Sequence, residues 1–408
     1  MLSRTLQLYK NAYTGLSPET WWLSLIMLIN RSGTMVIPFL TIYLTSPKMG
    51  FSISEAGIVM GLFGLGAVIG ARISGRLTDK FGFYPVQLIT LAGGGLLFIV
   101  LGHMKTYPSI CVFTFLLSLV NEAFRPANST AIAFYSKENN RTRSYALNRL
   151  AINLGWAVGN AIGGVIAAFN YEWLFWFDGI TNILAAVGMW LFLKPIDNGK
   201  IRKQPELQQD SLPVTRDRIY MWFTVLVALF ACCFFQLFTN LPAYYRNELH
   251  FGEKFIGLIG AVNGLMIAVI EMVFIFKIEG KRSNLYFITF GTFLCGVSYL
   301  IPALLQVGHA VAISMIILVT FGEILSMPFM NSFWISRSMD HNRGQYAAMY
   351  TMAWATAQTI GPVAGALIAE RAGYTTLWWA VGIMLILVAF GFMRLKQAMQ
   401  KPIVVTNT

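Results

Sequence analysis

Charge is what this sequence has little of. Asp, Glu, Lys and Arg make up 12% of its 408 residues, about half the ~25% share of a soluble domain. Hydrophobic residues make up 56%. A folded surface in water needs more charge than that, and a disordered chain has far less apolar content, so both classes are excluded. Cysteine is scarce too. Cys111, Cys232, Cys233 and Cys295 all lie in apolar runs, none at metal-ligand spacing, which argues against a disulfide framework or a metal centre. The four histidines, His103, His250, His309 and His341, read as loop residues. No nucleophile–base set or phosphate-cradling loop accompanies them, so neither an enzyme nor a resident cofactor is expected.

Long apolar runs are what the chain does have. About 20 helical residues cross a ~30 Å hydrocarbon core, and runs of that length recur at 18–44, 54–74, 85–103, 109–134, 144–169 and 173–194, then at 218–245, 254–276, 285–305, 310–334, 346–369 and 374–394. Helix starts carry capping chemistry: Ser17-Pro18-Glu19, the Ser52…Glu55 capping box, and Asp217. The first residues do not resemble a cleavable leader. The expected fold is therefore all-α, with twelve membrane-spanning helices. Residues 195–217, polar and proline-containing, read as a linker between a 1–194 half and a 218–408 half.

Lys and Arg set the orientation. Arg4, Lys10, Arg72, Arg76, Lys80, Lys137, Arg141, Arg143 and the cations of the linker fall on the side of the termini. Lys48, Lys105, Arg246, Lys254 and Arg371 fall on the other. Cytoplasmic loops collect cations, so both termini are expected in the cytoplasm and the cell (inner) membrane is the expected location. The net charge of +12, from 30 Lys+Arg against 18 Asp+Glu, is then topology rather than a sign of nucleic acid.

The halves repeat. Asn140-Arg141 and Asn342-Arg343, Pro126 and Pro328, Gly159 and Gly361, and Gly163 and Gly365 all share one offset. Tyr171, Leu174, Trp176 and Gly179 match Tyr374, Leu377, Trp379 and Gly382 one residue further on, and Gly57 and Gly64 match Gly257 and Gly264 at a slightly shorter spacing. Two parallel six-helix halves are a transporter design, with substrate held near the midplane.

Gly75-Arg76-Leu77-Thr78-Asp79-Lys80-Phe81-Gly82, read as the loop between the second and third spans, resembles the signature loop of the major facilitator superfamily. Gly75, Arg76, Asp79, Lys80 and Gly82 are its motif positions. Asp79 is placed to meet a neighbouring helix N-terminus or to pair with Arg76 or Lys80, a clamp that can hold one conformation. Gly155, Gly159 and Gly163 in the fifth span resemble the motif of the drug:proton antiporter branch, with Asn160 where that motif has proline. Gly361, Pro362 and Gly365 form the repeat copy. These small residues allow close helix packing, and with the loop motif they are the expected gating set. A partial resemblance to proton-coupled peptide symporters lies in Arg125-Pro126-Ala127-Asn128, Ile152-Asn153-Leu154-Gly155, Gly322-Glu323 and Asn30-Arg31, without the glutamates that precede the arginine there.

Ionisable residues inside a bilayer usually face a cavity and act there. Arg31, Glu122, Arg125 and Glu323 fall at similar mid-span depth in the first, fourth and tenth spans, which line the central cavity in the family the motifs resemble. Glu122 and Arg125 share a helix face. Glu323 and Glu122, with Glu271 in the eighth span, are the expected proton-coupling acids. Arg31 and Arg125, with Asn30, Asn128, Asn153, Gln236, Asn240 and Tyr244, are the expected substrate contacts. Asp178 is expected to cap or pair near the outer surface. The resemblance implies proton-driven exchange of small amphiphilic organic molecules, in the direction of efflux. The alternative is proton symport importing peptides, siderophores or another nutrient. Substrate, protons and lipid are the expected partners, and the expected state is a monomer.

Overall fold

The computed structural model describes residues 7, 10–44, 46–195, 214–305, 308–339 and 341–400. Arg4 and residues 196–213 of the expected linker lie outside them. The described residues are helical, with no strand among them. In chain order the helices are α1 (Pro18–Ser32), α2 (Val36–Leu44), α3 (Ile53–Phe81), α4 (Phe83–Gly102), α5 (Tyr107–Asn121), α6 (Phe124–Tyr135), α7 (Arg141–Phe169) and α8 (Glu172–Phe192). Then come α9 (Arg218–Phe234), α10 (Asn240–Asn247), α11 (Glu253–Ile278), α12 (Asn284–Leu304), α13 (His309–Arg337) and α14 (Arg343–Gln400).

Among the described residues, 10 helical stretches are long and apolar enough to cross a membrane. The expected twelve spans meet this number through two features. The first span is split into α1 and α2, each too short alone. The last two spans run together as α14, interrupted only at Gly373, whose φ of 82° is open to glycine. The helix starts follow the sequence. Ser17 accepts from the Thr20 N–H, Ser52 and Glu55 form a reciprocal capping box, and Asp217 accepts from the Tyr220 N–H.

Three spans are broken in the middle, at Gly33–Met35, Glu122–Ala123 and Phe238–Thr239. Each break lies four residues before a proline, Pro38, Pro126 or Pro242. Proline has no N–H to give the carbonyl one turn back, and its ring crowds that carbonyl. Pro328 sits inside the continuous α13, so proline permits a break without forcing one. Two sequence expectations change here. The stretch Gly75–Phe81 is the last turns of α3, not a loop; the turn is Gly82 alone, at φ 87°. His309 opens α13 rather than sitting in a loop, and stacks on Phe251 at 4.4 Å.

Contacts divide the chain into two compact units. One is Thr14–Ser211 with Ser338–Thr356, the other Leu212–Arg337 with Ala357–Thr408 and Met1–Tyr13. The repeat recurs as the same contact inside each unit. In the first, a Cβ on Gly95 of α4 would lie 2.7 Å from the Gly179 carbonyl of α8. In the second, a Cβ on Gly296 of α12 would lie 3.1 Å from the Gly382 carbonyl of α14. Backbone comes close to backbone at both crossings, where a side chain would crowd the facing carbonyl.

Candidate substrate and proton-coupling site

In the first unit, the break between α5 and α6 places Glu122 at the end of α5. The Pro126 ring cannot donate to the Glu122 carbonyl, which takes the Arg125 N–H instead at 3.4 Å. The Glu122 carboxylate is buried and lies between two arginines. Its Oε2 is 2.8 Å from Arg125 Nε, and its Oε1 is 4.0 Å from Arg31 Nη1. Asn121 Nδ2 donates to Oε1 at 3.5 Å. Arg31 itself is only 2% exposed. One carboxylate thus faces two guanidiniums, and the cluster keeps a net positive charge. Arg31 Nη2 is a buried donor with no hydrogen-bond partner among the described residues, and so is Asn153 Nδ2. Gly155 carries α7 against Arg31 (a Cβ there would lie 2.6 Å from Arg31 Cβ), and a Cβ on Gly159 would lie 2.9 Å from the Ser32 carbonyl and one on Gly163 3.1 Å from Met35 Cβ. A buried donor without an acceptor costs about 1–3 kcal/mol. Each of these two donors is a place for an acceptor, and the one at Arg31 favours a negatively charged acceptor.

The other expected contacts of this unit have protein partners. Asn30 donates to Asn182 Oδ1 at 2.7 Å. Asn128 accepts from Gln87 at 3.1 Å and donates to Asn148 at 3.2 Å, a buried amide ladder from α4 through α6 to α7. Asp79 accepts from the Gly344 N–H at 2.6 Å and the Gln345 N–H at 3.1 Å, at the start of α14. Gly75 allows that approach: a Cβ there would lie 2.5 Å from Ala348 Cβ. Lys80 extends over the Phe81 ring at 5.0 Å, and Arg76 is exposed.

In the second unit, Glu323 of α13 is 1% exposed and accepts from Asn263 Nδ2 at 3.1 Å. The same Nδ2 reaches Thr320 Oγ1 at 2.8 Å. Asn263 also lines a recess of about 140 Å³ walled by Leu237, Phe238, Leu241, Tyr245, Ile259 and Ile316. Glu271, on α11, is buried as well. Gln236 donates to the Gly361 carbonyl at 2.8 Å, and Asn240 to the Pro362 carbonyl at 3.1 Å and to Gln236 Oε1 at 2.6 Å. Gly361 and Gly365 make room for this: a Cβ on Gly361 would lie 2.8 Å from the Cys232 carbonyl, and one on Gly365 would collide with Gln236 Oε1. Tyr244 is buried against Trp378 at 5.3 Å and Tyr374 at 5.4 Å.

Sequence reasoning did not single out Asn263, Thr320 or Asn182. Each is a neutral polar residue in an apolar helix, and only the fold shows which acid or amide it meets. Asp178 does cap: its carboxylate takes the Met35 N–H at 2.9 and 3.0 Å and the Val36 N–H at 2.7 Å.

A family profile described as Major Facilitator Superfamily matches residues 21–357. The chain belongs to this superfamily. It is similar to an uncharacterized MFS-type transporter, YqjV, of Bacillus subtilis, 24% identical over 77% of each chain. It is also similar to the class H tetracycline resistance protein of Pasteurella multocida, 22% identical over 81% of this chain and 83% of that one. Among solved structures it resembles the human organic anion transporter MFSD10, with a TM-score of 0.72 and 16% identity, over 92% of this chain and all of the other. The protein is a multi-pass membrane transporter of the secondary type, not an enzyme.

Proposed function

We propose that this transporter exports small amphiphilic organic molecules bearing an anionic or zwitterionic group, in exchange for protons, by alternating access across the cell membrane. The observation that carries the reading is the Arg31–Glu122–Arg125 cluster, with Arg31 and Glu122 buried, a surplus positive charge, and a donor on Arg31 that has no partner among the described residues. A substrate carboxylate can take Arg31 while Arg125 stays paired with Glu122. Glu323, in the other unit and away from that cluster in sequence, carries the proton: neutral when protonated, it tolerates occlusion, and contact with water releases it. The two six-helix halves, 1–194 and 218–408, are the moving parts, and the protein acts as a monomer with both termini in the cytoplasm. The glycines of α7 and α14 and the Asp79 clamp are the gating elements. The organic anion transporter supports a substrate carrying negative charge, and the tetracycline resistance relative supports a small organic one.

Proteoliposomes under an imposed pH gradient test the reading, with tetracycline and carboxyfluorescein as probes. Movement of probe against proton flow supports export. Co-movement with protons reverses the direction to import. Flux of neither probe at any gradient would remove the anionic-amphiphile assignment.

A further inference from the structure

Arg31 stands next to the break in its own span, and the break rests on α8. Three α8 residues meet it from three directions. Asp178, 0% exposed, takes the Met35 and Val36 N–H groups that open α2. Asn182 takes the Asn30 amide at 2.7 Å near the end of α1, and its own Nδ2 is tied back to the Asp178 carbonyl at 2.8 Å. Between them, Gly33 lies so close to Thr181 that a Cβ would collide with Thr181 Oγ1.

The chemistry of each contact fits a broken helix. The first N–H groups of a helix have no partner within it, and a carboxylate at that end also answers its dipole. Pro38 brings no N–H to the first turn of α2, so Met35 and Val36 hold the donors that most need an acceptor. Asn182 is locked by its own backbone bond, so its Oδ1 faces Asn30 in one orientation. The two sides of the break are therefore held by one rigid helix. Arg31 is adjacent to Asn30, and its Nη1 reaches Glu122 at the long distance of 4.0 Å, where a small shift in the end of α1 makes or loses the pair.

We propose that Asp178, Thr181 and Asn182 are positioning residues: they seat the break of the first span and thereby set where Arg31 stands toward Glu122. This deepens the function proposed above, because Arg31 is the group it positions. The test needs no transport, so the two readings fail separately. Arg31→Met, Glu122→Gln and the double variant are melted as purified full-length protein, first in the natural background and then with Asp178→Asn. In the natural background the shifts are expected to be non-additive by about 2 °C or more, since contacting residues couple. With Asp178→Asn they become additive. A Ser298→Ala background, a buried hydroxyl of α12 outside the seat and outside the candidate site, retains the non-additivity.

A size swap makes the test independent of whether Asp178→Asn folds. Gly33→Ala is expected to abolish the coupling, and adding Thr181→Gly, which makes room for the new methyl, to restore it. Additive shifts in the natural background, or coupling undiminished by Asp178→Asn and Gly33→Ala, overturn the proposal. So does loss of coupling in the Ser298→Ala background.

Discussion

Two acidic residues with two basic partners each show how burial decides what a charge contributes. Glu172 Oε1 lies 2.9 Å from both Lys48 and Lys105, and all three side chains are substantially exposed. Lys105, in a loop, has its pKa raised by the Glu172 carboxylate beside it. Exposed pairs like these contribute about 0–1 kcal/mol. Glu122 has similar partners but is buried, and removing its charge leaves Arg31 without compensation in the interior, at about 3–5 kcal/mol. Glu172→Gln should therefore leave the melting temperature of purified protein nearly unchanged, and Glu122→Gln should lower it by several degrees. Glu323 presents a different case, a carboxylate that accepts from the neutral Asn263 amide. Glu323→Gln is expected to abolish proton-driven accumulation in proteoliposomes while counter-exchange of substrate continues. Pump-like accumulation in that variant would take Glu323 out of the coupling step.

Helix glycines look alike in sequence and differ in what surrounds them. A Cβ on Gly159 would lie 2.9 Å from the Ser32 carbonyl and one on Gly361 2.8 Å from the Cys232 carbonyl, whereas a Cβ on Gly57 or Gly264 would meet nothing within 4 Å. Gly159→Leu or Gly361→Leu should push its helix pair apart and reduce folded yield in detergent, read by size exclusion. Gly57→Leu should leave that yield intact. The contrast shows what was legible beforehand. The spans and caps were, because hydropathy and Ser/Asp–Glu spacing are local signals. The matched glycines of the fifth and eleventh spans were legible as small residues that allow close helix approach, though not which carbonyl each would face. The break in the first span was not legible: Gly33-Thr34-Met35 lies inside a stretch long enough to read as one span, and the acceptor that stabilises the break is a carboxylate from another span. The proline four residues on was the available clue. The end of α3 was read as a loop because its motif is rich in charge and glycine, yet the helix continues to Phe81 because Gly82, at φ 87°, makes the whole turn alone. At the candidate site, the acids and arginines were visible as rare charges in lipid. Their neutral partners were not, since an asparagine in an apolar helix gives no sign of what it faces.

Across the molecule, the duplication is conserved as packing and diverges as chemistry. The Gly95–Gly179 crossing has its counterpart at Gly296–Gly382, but the corresponding breaks are stabilised differently. Asp178 holds α2 through backbone N–H groups, whereas Gln236 and Asn240, beside the break between α9 and α10, reach backbone carbonyls of α14. The buried charge cluster occurs in the first unit only among the described ion pairs. The distribution of loop cations predicts that both termini face the cytoplasm. Fusions of a reporter that fluoresces only in the cytoplasm should be bright at either end, and moving that reporter to the loop at Lys105 should darken it.

The buried acids also bear on how the chain is made. A carboxylate entering the bilayer alone costs a few kcal/mol. Asp178 meets the N–H groups of Met35 and Val36, Glu122 meets Arg31, and Glu323 meets Asn263. In each case the partner has already left the ribosome when the acid emerges. Synthesis from the N-terminus thus delivers each of these carboxylates to a bilayer where its counterpart is waiting, and the order of the spans serves insertion as well as transport.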